Sequence, residues 1–120
     1  SVKSDLLEND IELQITPKKE PSEVSKELGL EFKVQLGEYS EDVPIDEVGL
    51  FLKLNSRGVE NYEVEDKTVY TIGSFSDYQS ALDLQIEMKD MGVKNPKTIA
   101  FQKGVKIGVD KALELIKKNQ

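Results

Sequence analysis

Phe32-Lys33-Val34-Gln35-Leu36-Gly37-Glu38-Tyr39-Ser40 is the stretch on which the fold turns. Its first five residues alternate apolar and polar, so Phe32, Val34 and Leu36 share one face of a strand and Lys33 and Gln35 the other. The strand then runs into a glycine, a variable residue, an aromatic and a serine. The same phrase returns at Val69-Tyr70-Thr71-Ile72-Gly73-Ser74-Phe75-Ser76. Each copy continues into an apolar-periodic segment that closes on Gly-Val, at Gly58-Val59 and at Gly92-Val93. From first glycine to closing glycine is 21 residues in one copy (58 − 37) and 19 in the other (92 − 73). A single βα unit cannot cover its own apolar face, so two of matching length predict one pseudo-symmetric domain.

Outward from these copies the remaining elements follow. Pro44 suits the first turn of a helix over 45–55, with Asp46 and Glu47 at its positive end. Ile45, Val48 and Leu52 fall at i, i+3 and i+7 and are expected to face the core. Glu60 to Glu65 reads as a second strand with Tyr62 and Val64 inward, and Asp66-Lys67 as a tight turn into a third, Thr68 to Ile72. Ser76, with Gln79 three residues on, opens a second helix as a capping box. Tyr78, Ala81, Leu82, Leu84, Ile86, Met88 and Met91 cover more than half of that helix's circumference, which predicts deep packing on a sheet. Thr98 to Phe101 is a fourth strand. Val105 to Ile107 is a short extension after a turn at Gln102-Lys103-Gly104, and Asp110 caps a closing helix over 110–118. The order is βαββαβ plus a terminal helix. Right-handed crossovers put both main helices on one face. The expected fold is α+β and ferredoxin-like, a four-stranded antiparallel sheet with the terminal helix at an edge.

Residues 1–30 read as a flanking segment or linker before a domain over 31–120. Asp10 to Thr16 alternates like a half-buried strand, and two prolines among charges at 17–21 mark a linker. Ser22 is placed to cap a short helix, Glu23 to Leu28, that Gly29 stops. The chain opens at Ser1 with neither an initiating Met nor a signal peptide, as a processed or excised chain would.

A chain of 120 residues can bury one real core and is short for two. Charged residues reach 32% against 38% apolar, and the formal charge is −7. The imbalance lies mostly in residues 31–104, which carry 8 − 14 = −6, while residues 1–30 carry 4 − 7 = −3 and residues 105–120 carry 4 − 2 = +2. An acidic body repels polyphosphate, so nucleic acid is not an expected partner, and adsorption to an anionic membrane is disfavoured likewise. No apolar run approaches the ~20 residues needed to span a bilayer. The absence of Cys excludes disulfides, thiolate metal sites and Cys catalysis. The absence of His removes the usual neutral-pH general base and the commonest metal ligand.

A ligand would sit on the sheet face away from the helices. That face is expected to expose Lys33 and Gln35 from the first strand and Lys67, Val69 and Thr71 from the third. Amides and hydroxyls around a shallow apolar floor suit sugar recognition, and a plain solvated sheet face is the alternative. Two carboxylate groups stand out, Glu41, Asp42, Asp46 and Glu47, and then Glu60, Glu63, Glu65 and Asp66. Glycosidic chemistry would need burial to split their pKa values, whereas a helix start and an exposed hairpin explain them without it. Neither group matches a calcium loop. Acylphosphatases share the βαββαβ order but need an arginine in a phosphate loop, and the only arginine, Arg57, lies near a helix end. RNA-recognition modules carry aromatic and basic residues on the middle strands, whereas Tyr70 falls on the core side. A non-catalytic domain without a cofactor is expected.

Val34-Gln35-Leu36-Gly37-Glu38-Tyr39-Ser40, then a helix, Gly58-Val59, Tyr70-Thr71-Ile72-Gly73-Ser74-Phe75 and a second helix, resembles the SPOR (sporulation-related repeat) family from Glu31 to Ile107. Those domains show a Val-Gln-x-Gly-Ser-Phe strand end and a second Gly-x-Phe strand end in the βαββαβ order. The ending Phe101-Gln102-Lys103-Gly104-Val105-Lys106-Ile107 resembles SPOR-like modules in envelope proteins of Bacteroidetes-type bacteria. The resemblance implies a periplasmic or cell-envelope domain, linked to cell division, that binds peptidoglycan glycan strands stripped of stem peptides in a groove on the sheet face. The family's glycan-contacting Gln matches Gln35. Its Ser falls on Glu38, while Ser74 holds that place in the second copy, and its aromatic and Arg fall at Lys67 and Val69. The implied glycan-binding set is Gln35, Glu38, Lys67, Val69, Thr71 and Ser74, with neutral contacts. The alternative is a protein-interaction or architectural module of a larger envelope protein, without glycan affinity.

Overall fold

A computed structural model describes residues 19–120; the strand expected at 10–16 lies outside the described residues. In chain order the elements are α1 (Pro21–Leu28), β1 (Leu30–Tyr39), α2 (Ile45–Leu54) with a turn of 3-10 helix (Asn55–Arg57), β2 (Glu60–Val64), β3 (Lys67–Phe75), α3 (Tyr78–Met91), β4 (Lys97–Gln102), β5 (Val105–Ile107) and α4 (Val109–Lys118). The strands form one sheet in the order β2-β3-β1-β4-β5, and each neighbouring pair is antiparallel. The described chain is therefore α+β with five strands, not four. The fifth is the segment expected as a mere extension, which pairs with β4 through Ala100 and Ile107. Lys103 and Gly104 between them take φ of 50° and 83°, the positive values of a tight hairpin turn whose twist matches its strands.

β1 and β3 carry the two copies of the repeated phrase and lie side by side in the sheet. The Gly-x-aromatic ending has the same steric meaning in both. The Tyr39 ring folds back over Gly37, and the Phe75 ring over Gly73, so closely that a β-carbon on either glycine would collide with it. Gly73 also has φ 83°, a conformation that residues with a β-carbon avoid. A register shift between Gln35 and Gly37 marks the bulge at the first bend. Beyond it Tyr39 meets Phe51 and Tyr70 edge to face at 6.1 and 6.0 Å, and Phe75 packs against the core.

The four helices of the described residues cover one face of the sheet. Phe32 and Ala100, paired across β1 and β4, meet Val24 of α1, Ala81 of α3, and Ala112 and Ile116 of α4. Val34, Leu36 and Ile72 meet Leu54 of α2 and Leu84 and Met88 of α3. Burying each such aliphatic side chain contributes about 1.5–3 kcal/mol.

Several local expectations are corrected by this packing. α2 turns Leu50, Phe51 and Leu54 to the core and leaves Ile45 93% and Leu52 70% exposed. The helix carries two apolar stripes, and tertiary packing chooses between them. α3 buries one narrow stripe, Ala81, Leu84 and Met88, while Ile86 and Met91 face out. Asp77, not Ser76, caps α3 by accepting from the Ser80 N–H at 2.8 Å, and Gln79 bonds Asp83 instead. α4 starts directly after Gly108, so Asp110 lies in its first turn, and the helix packs against β4, one strand in from the end of the sheet. α1 begins at Pro21 with Ser22 inside it, and its Val24 is buried in the core, so the packed body extends before residue 31. The Lys103 N–H donates to the Gly29 carbonyl at 2.8 Å and the Gln102 amide to that of Leu28 at 3.2 Å. These bonds fasten the α1–β1 corner to the β4–β5 hairpin.

Candidate functional site

The face turned away from the helices is built by residues that alternate with the core. Gln35 pairs with Thr71 of β3 on one side and with Lys97 of β4 on the other. Glu38 and Tyr62 both pair with Val69, and Glu60 pairs with Thr71. Residues directly opposite in an antiparallel ladder put their side chains on the same side. Lys67 joins this face through an ion pair with Glu38 at 3.2 Å, and Ser74 through a hydrogen bond from its hydroxyl to Glu31. Gln35, Glu38, Lys67, Val69, Thr71 and Ser74 thus share one face.

It is not the exposed surface that alternation predicts. Thr71 is 2% exposed, Val69 3% and Gln35 6%. Two aromatic residues stand beside Val69 and Thr71, while Gln35 lies among Glu38, Lys67 and Lys97. Tyr62, expected inward, stands on this face opposite Val69, and Phe101 stands on it from β4, opposite Glu31. β2 and β4 are three inter-strand steps apart, about 14 Å on a flat sheet. The Tyr62 and Phe101 ring centroids are nevertheless 5.7 Å apart, edge to face at 85°. The face is concave, and the rings lean together over its middle strands. Burial raises the Tyr62 phenol above the usual tyrosine range, with the Glu38 carboxylate adding to the shift and Lys33 opposing it.

Gln35 and Thr71 are the buried polar side chains of this floor. Neither side chain is hydrogen-bonded to another of the described residues. An amide offers two donors and an acceptor, and a hydroxyl one donor and two acceptor lone pairs. A buried polar group left unmatched costs about 1–3 kcal/mol, so a polar ligand meeting both would be stabilised here.

Two recesses flank the Gln35–Thr71 pair. The smaller, about 270 Å³, is lined by Tyr62, Phe101 and Thr71 with Lys33, Glu60 and Asn61 among its rim. Lys33 bonds Glu60 at 2.7 Å, and that bond lowers the Glu60 carboxyl below its usual range. The larger, about 400 Å³, opens where β4 begins. Gln35–Lys97 is the last pair between β1 and β4, so among the described residues β1 continues from Leu36 to Tyr39 with only β3 beside it. Lys67, Lys94, Asn95, Lys97, Glu38 and Glu47 complete that recess. Gln85 of α3 holds the start of β4 in place, accepting from the Thr98 N–H at 2.7 Å and its hydroxyl at 2.8 Å. Tyr39 donates to Glu47 at 2.5 Å, and burial, then this bond, push its phenol well above the tyrosine range.

Of the remaining charged candidates, Asp46, Glu47 and Arg57 have structural partners. Lys94 bridges Glu47 and Asp46 at 3.2 and 3.5 Å. Arg57 makes a two-pronged bond to Glu87, at 2.7 and 3.0 Å, which ties the 3-10 turn to α3. Among the described residues no cluster of acidic side chains is placed to hold a metal ion, and no helix is long and apolar enough to cross a membrane. In comparison with known proteins, the chain matches no family model, no curated protein and no solved structure.

Proposed function

We propose that the chain is a SPOR-like, ferredoxin-like module that binds peptidoglycan glycan strands without catalysis, in the concave sheet face of a periplasmic or cell-envelope protein. The strand order β2-β3-β1-β4, with α2 and α3 on one face, supports the fold part of that reading. The observation that carries the functional part is the Gln35–Thr71 pair, a buried amide beside a buried hydroxyl that borders an aromatic pair. Sugars offer such a floor hydroxyls that donate and accept, and ring faces that pack on aromatic side chains. Tyr62 and Phe101 supply from β2 and β4 the aromatic surface that the SPOR pattern would place at Lys67 or Val69. Retention on purified sacculi, measured before and after an amidase strips the stem peptides, tests the proposal. Retention should rise after stripping, fall in Gln35→Ala with little change in melting temperature, and rise in Glu38→Ser. Absence of retention on stripped sacculi would overturn it.

A protein-interaction module without glycan affinity is the second reading. The exposed Ile45 and Leu52 of α2 favour it, since Leu52 borders a shallow apolar groove with Val43, Val48, Phe51 and Tyr70. Leu52→Glu would break such an association and leave sacculus retention unchanged.

A further inference from the structure

The larger recess narrows the ligand further, on the basis of the glycan reading. Three lysines line it, and two are already neutralised: Lys67 by Glu38, and Lys94 by Glu47 and Asp46. Lys97 has no carboxylate within ion-pair distance among the described residues. It is also the partner of Gln35 on the last rung between β1 and β4, and both side chains line the recess. An ammonium only donates, and an amide NH₂ donates beside it, so the group that serves both is an anionic oxygen pair. A neutral hydroxyl can accept from either group but leaves the charge of Lys97 uncompensated. A doubly charged phosphate is opposed by Glu38 and Glu47 on the same walls and by the net charge of −7.

We propose that the ligand carries a carboxylate, bound by Lys97 and Gln35 in this recess, while the Tyr62–Phe101 recess takes a neutral ring. The link to stem-peptide removal is chemical. Hydrolysis of the amide that joins the peptide to the lactyl group leaves a free carboxylate on alternate rings, so a carboxylate held directly on the sugar exists only on stripped strands.

Calorimetric titration of the full chain provides the test. One probe is a soluble oligosaccharide of alternating neutral and lactyl-carboxylated N-acetylhexosamines; the other is the same oligomer with its carboxylates converted to methylamides. The amidated oligomer should bind about 3–10-fold more weakly, and added salt should shrink the difference. Lys97→Gln should bind both oligomers equally, at the weaker level, and Lys97→Arg should keep the preference. Equal affinity of the wild-type chain for both oligomers overturns the carboxylate while glycan binding stands. Binding of neither, by a chain with an intact melting transition, overturns both.

Discussion

Tyr62 and Phe101 touch edge to face across the concave side of the sheet although two strands, β3 and β1, separate the strands that carry them. The contact stands over Thr71, beside Val69, and couples β2 to β4. Each ring should therefore depend on the other. A double-mutant cycle of Tyr62→Ala and Phe101→Ala should give a coupling of about 0.5–1.5 kcal/mol in urea unfolding. Additive losses would show that the rings act separately.

The repeated Gly-x-aromatic phrase makes a second prediction. Gly73→Ala would place a β-carbon 2.7 Å from Leu84 and from the Phe75 ring at φ 83°, whereas Gly58 has φ 89° with no atom within 4 Å of the point its β-carbon would occupy. Backbone strain alone should cost Gly58→Ala about 1 kcal/mol, and Gly73→Ala should cost about 2–4 kcal/mol. Equal denaturant midpoints for the two variants would contradict the folded-back ring.

The facing of α2 is checked by contrast within one helix. Leu54→Ala, at a fully buried position, should destabilise by about 2–5 kcal/mol. Ile45→Ala should stay within about 0.5 kcal/mol of the parent. Chemical denaturation of the pair decides which apolar stripe faces in.

Tyr39 gives the stability a signature in alkali. Burial, then the bond to Glu47, raise its phenol above the ordinary value of 10.0. The folded chain holds that proton more tightly than the unfolded one. Its contribution is complete below pH 10.0 and is lost as the pH climbs toward the folded-state value. Tyr62 shifts in the same direction through burial. Urea midpoints of the wild type should fall steeply above pH 10.0. Tyr39→Phe should begin about 0.5–1.5 kcal/mol less stable near neutrality, from the lost hydrogen bond, and fall less steeply. Parallel profiles would place the alkaline transition elsewhere.

Much of the scaffold is legible in the sequence where the signal is local. Alternation through Phe32, Val34 and Leu36 identifies β1 and its covered face, and Gly92 ends α3 as its pattern predicts. The same alternation puts Gln35, Val69 and Thr71 together on the other face. What it leaves open are choices between equivalent arrangements. It requires Tyr62 and Val64 to share a side, but only the register against Val69 says which side. In α2, Ile45-Val48-Leu52 and Leu50-Phe51-Leu54 fit a helical period alike. The aromatic wall beside Thr71 is built by rings from strands far apart in the chain. The role of Lys97 depends on which carboxylates reach the other two lysines of its recess. Neither property belongs to any one segment.

The fastening of Gly29 and Leu28 to Lys103 and Gln102 gives the fold a mechanical polarity. A pull entering through α1 reaches β1 at a corner already tied to the β4–β5 hairpin. β1 is laddered on both edges, so tension along it shears two sets of hydrogen bonds together. β2, with β3 as its only sheet neighbour among the described residues, can instead be peeled one rung at a time. A force probe attached ahead of α1 should therefore meet far more resistance than one attached at β2. Under such a load the strand that holds Gln35 should part from the sheet after β2 does.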